Sequence, residues 1–107
     1  MTLLHATWLN EPPEFTPEQF QTLILEDAKR LGIGDALMDE YIMPLFQEKL
    51  CPANLRAFAR VNGDRLMIRL QELACENTVV LSDEERELRN MLQLVRAIGI
   101  CATCVKV

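Results

Sequence analysis

The chain has 107 residues, half of them hydrophobic and a quarter charged, with a formal net charge of -5. That composition excludes a disordered polymer and sets the expectation of one globular domain over residues 1–107, with a single modest core. Sixteen acids against eleven bases repel phosphate backbones and oppose non-specific nucleic-acid binding.

Residues 2–9 are mixed apolar and suit a short strand. Residues 10–15, with Pro12 and Pro13, read as an extended linker, because paired prolines disfavour regular structure. The first helix starts at Thr16. Thr16 can cap it, Pro17 is pre-set for the first helical position, and Gln19 completes a capping box. Phe20, Leu23, Ile24, Ala28 and Leu31 then share one face. Gly32 and Gly34 stop the helix.

Asp35 is read as the next cap. Leu37, Tyr41 and Leu45 form a second stripe, with Met38, Ile42 and Phe46 beside it, and Pro44 must kink or split this helix. Pro52 opens a third segment containing Leu55, Phe58 and Ala59, expected to end at Asn62-Gly63. Two readings follow. Asn-Gly is a hairpin signal, and Leu66, Ile68 and Leu70 alternate beyond it. Alternatively, Gly63 ends one helix and Asp64 caps another. The composition of residues 65–76, rich in Arg, Leu, Met, Gln, Glu and Ala, favours helix. Ser82 with Glu85 makes a second capping box, ahead of a buried face of Leu88, Met91, Leu92, Val95 and Ile98. Gly99 is expected to end that helix. Residues 100–107 then form a strand paired with residues 2–9, or an apolar tail docked on the bundle.

The expected fold is mostly α: a compact bundle of four to five short helices, with room for a small β element from the termini or a 56–70 hairpin. Residues 1–15 are assigned to an extended arm, 16–98 to the helical core and 99–107 to the tail. No leader segment or apolar stretch long enough to span a bilayer is evident, so the expected location is cytoplasmic, without membrane association.

Chemistry-bearing residues are sparse. Cys101-x-x-Cys104 has the spacing for two thiolates on one metal or for disulfide exchange. A second pair is lacking, and no helix follows whose start would lower a thiol pKa. Buried small apolar residues are the plainer reading. His5 has no nucleophile nearby in sequence. The acids Glu11, Glu14, Glu18, Glu26, Asp27, Asp39 and Glu40 lack metal-ligand spacing and read as a solvated face. No catalytic constellation and no cofactor motif emerges, so the chain is not expected to be an enzyme.

The most distinctive feature is an arginine island. Arg56, Arg60, Arg65 and Arg69 meet only Asp64 between them, which leaves +3 locally and -8 on the rest of the chain. Planar guanidinium groups suit carboxylate or phosphate recognition. The expected function is therefore a small acidic regulatory or adaptor protein, acting by stoichiometric binding to another protein through these four arginines. Split charge of this kind steers and orients association. Broad Met-containing apolar faces, including Met38, Met67 and Met91, point to self-association, with a homodimer as the simplest form. Two alternatives remain. One is a nucleic-acid-linked regulator using residues 52–74 as a helix-turn-helix, for which Ala59-x-x-x-Gly63 has part of the spacing while Ile68 comes one position early. The other is a thiol-metal or redox accessory protein using Cys101 and Cys104.

Overall fold

The computed structural model describes residues 14–76 and 83–106. The readings made for residues 2–9, for His5, for Glu11 and for the Ser82 cap lie outside those residues.

Helix α1 spans Pro17–Arg30 and begins as the sequence predicts. The Thr16 hydroxyl accepts from the Gln19 N–H at 3.1 Å, and the Gln19 side chain accepts from the Thr16 N–H at 3.0 Å. Two orphan donors of the first turn are thereby satisfied. Gly32 ends the helix in the left-handed region, at φ 69°, where a Cβ would be strained.

The next segment is short and irregular for a reason set by Pro44. Helix α2, Asp35–Leu37, is capped by the Gly34 backbone and not by Asp35. It widens into a π turn over Met38–Ile42, in which the Met43 N–H reaches back to the Met38 carbonyl at 2.9 Å. A proline offers no N–H and collides with the carbonyl four residues earlier, so the regular ladder cannot continue through it. After Pro44 the chain tightens into a 3-10 turn at Leu45–Gln47.

Helix α3 runs unbroken over Pro52–Glu76. This corrects both readings of Asn62-Gly63: residues 56–70 form no hairpin, and no helix break occurs at Gly63. Buried or half-buried Leu55, Phe58, Asn62, Leu66, Leu70 and Leu73 recur at helical spacing straight through that site. The Asn62 side chain donates to the Phe58 carbonyl at 3.0 Å and accepts from Arg65 at 2.8 Å, so its amide is satisfied inside the helix. A mid-helix glycine costs only about 1 kcal/mol, and burial of this stripe exceeds that.

Helix α4, Asp83–Cys101, is the centre of the bundle, with Leu88, Met91, Leu92, Leu94, Val95, Ala97, Ile98 and Cys101 buried. It lies antiparallel to α3. Ala59 sits beside Gly99 near one end of the pair, and Arg69 approaches Glu84 at 3.7 Å near the other. Gly99 does not end α4 as expected. It occupies the close crossing, where a Cβ would come within 2.7 Å of the Ala59 Cβ. Helix α4 also holds α1 to α2: Glu87 Oε1 accepts from the Gly34 N–H at 2.7 Å, and Asn90 donates to the Leu31 carbonyl at 3.0 Å.

Beyond α4, a 3-10 turn at Ala102–Cys104 leads to Val105, which pairs with Phe15 in an isolated parallel bridge. The Phe15 N–H donates to the Cys104 carbonyl and the Lys106 N–H to the Phe15 carbonyl, both at 2.8 Å. A mostly α bundle with one small β contact between its terminal segments is thus the observed fold. No helix among the described residues is long and apolar enough to cross a membrane.

Candidate protein-contact face

A continuous α3 rearranges the arginine island. At 100° per residue, Arg56 and Arg60 share one side of the helix, and Arg65 and Arg69, nine residues further on, fall on the opposite side. The four arginines therefore do not form one patch. Nor do residues 52–74 form the two-helix reading head of the nucleic-acid alternative, since that segment is one helix.

Arg65 and Arg69 are taken up internally. Arg69 donates to Glu40 Oε2 and to the Tyr41 hydroxyl, each at 2.9 Å, and lies 3.7 Å from Glu84. The Tyr41 hydroxyl is the largest cause holding this guanidinium charged above its ordinary range; Glu40 and Glu84 add to it while burial opposes it. Arg65 sits over the Tyr41 ring, 4.7 Å from its centroid, and 3.6 Å from Glu40. Tyr41 itself is 1% exposed, so this cluster fastens the π turn to α3. Glu40 is exposed, as expected of a solvated face, and is the acceptor shared by both arginines. Asp27 departs from that expectation: it is fully buried, 3.5 Å from Arg30.

Arg56 and Arg60 are exposed, and neither enters an ion pair among the described residues. A third arginine joins them from α4. Arg96 donates weakly to the Met67 sulfur at 3.8 Å, and Met67 lies two turns beyond Arg60 on the same edge of α3. Arg96 has no carboxylate partner among the described residues either. Beside this basic edge runs an apolar stripe. Val61 is 52% exposed and Ile68, seven residues on, is 55% exposed. Ala57 and the acidic Asp64, also seven residues apart, fall on the same side of the helix.

Sequence reasoning missed Arg96, Val61 and Ile68 as surface partners of the island. The signals were present: Arg96 falls off the buried stripe of α4, and Val61 and Ile68 align only once the helix is read through Gly63. On the far side of the stripe lies a cleft of about 450 Å³ between the π turn and α3, lined by Tyr41, Leu45, Phe58, Val61, Glu40 and Arg65. An apolar floor with charged walls can seat one apolar side chain of a docking partner and align it by the rim.

The cysteine pair carries no comparable geometry. Cys101 and Cys104 are not joined in a disulfide, and both are buried. Burial, with Cys104 and Asp27 adding to it, pushes the Cys101 thiol up to about 11, opposite to what a nucleophile or metal ligand needs. No group of three or more His, Cys, Asp or Glu side chains suited to a metal ion occurs among the described residues. Comparisons with protein-family models, with curated proteins and with solved structures find no match to this chain.

Proposed function

We propose that this chain is a small regulatory or adaptor protein that works by stoichiometric contact with another protein surface, and that the outward face of α3 makes the contact. One observation carries the reading. In a chain with a surplus of acids, Arg56, Arg60 and Arg96 are left without carboxylate partners among the described residues, alongside exposed Val61 and Ile68. Unpaired arginines bordering an apolar strip match the make-up of protein interfaces, where Arg and large apolar side chains are enriched. The complementary surface is apolar at its centre and carries carboxylates.

The test is a tagged pull-down from the native host's lysate, with and without nuclease, comparing wild type with an Arg56→Glu, Arg60→Glu, Arg96→Glu triple variant. The expected result is a near-stoichiometric protein that survives nuclease and is lost from the variant. Retention by the variant would remove α3 as the contact face. Loss on nuclease treatment would reassign the arginines to phosphate recognition.

A further inference from the structure

We propose, resting on α3 as a contact face, that the cleft between the π turn and α3 is a socket for one apolar side chain of the partner protein, and that a cationic residue stands beside that side chain in the partner.

The socket lies where the irregular π and 3-10 turns meet α3. Single π turns in helical segments recur at functional sites. Leu45 and Phe58 are buried at its floor, and Val61, 52% exposed, forms its lip. Val61 also belongs to the outward stripe of α3, so the socket is continuous with the contact face. Its walls are fixed before anything binds. Asn54 donates to the Lys49 carbonyl at 2.9 Å, which ties the approach to Pro52 onto α3. Arg69 holds the Tyr41 hydroxyl and Glu40 on the other wall. A pre-formed cavity of about 450 Å³ with an apolar floor receives a side chain without the cost of ordering its own walls.

The charge of the socket selects the neighbour of that side chain. Glu40, Glu48 and Arg65 line it. Glu40 and Arg65 lie 3.6 Å apart, and Glu40 also accepts from Arg69 at 2.9 Å, so these charges are answered within the chain. Glu48 is exposed and enters no ion pair among the described residues. Arg56 and Arg60 do not line the cleft; they stand across the Val61 stripe. An incoming apolar tip therefore meets a lone carboxylate beside the cleft, and a cation next to the tip complements it. The partner surface then carries a base on one side of its apolar centre and carboxylates on the other, which fixes how it lies across α3.

The experiment is a titration of isotope-labelled protein, followed by amide chemical shifts, with three capped dipeptides: N-acetyl-Phe-Arg-amide and its Phe-Gln and Phe-Glu counterparts. Glu48→Gln, a change at an exposed side chain, is titrated in parallel, as is wild type with phenethylamine. Shifts are expected to centre on Leu45, Asn54, Phe58 and Val61, with affinity falling from the Arg to the Gln to the Glu dipeptide. Glu48→Gln should weaken the Arg dipeptide about two- to fivefold and leave the Gln dipeptide unchanged. Shifts away from the cleft, no shifts, or an affinity order indifferent to charge would overturn the socket. So would equal losses of the Arg and Gln dipeptides in Glu48→Gln. Phenethylamine binding more tightly than the Arg dipeptide would assign the cleft to a small amine instead. The titration needs no partner, so its failure is distinct from failure of the α3 face, which the pull-down decides.

Discussion

Arg69 donates from a single guanidinium nitrogen to both the Tyr41 hydroxyl and Glu40 Oε2, each at 2.9 Å. Through it the middle of α3 holds the π turn that Pro44 forces on the chain. Replacing Arg69 with Leu should lower stability by about 1–2 kcal/mol, as hydrogen bonds to a half-buried charge are lost. Glu84→Ala, which removes only the exposed 3.7 Å contact with Arg69, should cost below about 1 kcal/mol. Urea denaturation of both variants measures the difference, and equal costs would contradict this ranking.

Gly63 offers a direct check on the continuity of α3. A Cβ there would meet nothing within 4 Å, and Gly32 is the glycine with positive φ. Gly63→Ala should therefore stabilise by about 0.5–1 kcal/mol through lower unfolded-state entropy. Gly32→Ala should destabilise. A destabilised Gly63→Ala would point back to a turn at Asn62-Gly63.

At Gly99 the prediction reverses. An added methyl would stand 2.7 Å from the Ala59 Cβ, forcing α3 and α4 apart. Overpacking of this kind costs about 1–3 kcal/mol, offset in part by the better helix propensity of alanine. Adding Ala59→Gly should recover part of the melting temperature lost by Gly99→Ala. Additive losses in the double variant would place the strain elsewhere.

The thiols should react in order of exposure. Cys75 is exposed and Cys51 half-buried, so maleimide should label Cys75 first and Cys101 and Cys104 only on unfolding. The raised Cys101 pKa has a thermodynamic counterpart. As pH climbs past about 9, the unfolded thiol ionises while the folded one keeps its proton, so the unfolded state gains. Stability from this group is intact below that point and declines toward pH 11. Urea midpoints for wild type should fall more steeply over that range than those of Cys101→Ala; parallel slopes would exclude the effect.

Much of the fold was legible because local signals and burial agreed. The capping box at Thr16, the Gly32 stop, the disruption at Pro44 and the α4 stripe each rest on short-range chemistry. Asn62-Gly63 misled because a turn signal of two residues was weighed against a buried stripe that spans the whole helix and closes on α4. The reading of the arginine island suffered from the same error. Four arginines near one another in sequence look like a patch, but a continuous helix sends them to opposite sides. Sequence spacing could not foresee that Glu40 and Tyr41, arriving from the π turn, would take up two of them.

The parallel bridge between Phe15 and Val105 gives the bundle a defined response to force. Tension applied through the segments that enter at Phe15 and leave at Val105 acts along the two bridged segments in opposite senses. It loads the hydrogen bonds from Phe15 and Lys106 together, in shear, instead of peeling them open in turn. The helices between them stay out of the line of tension until that clasp gives way.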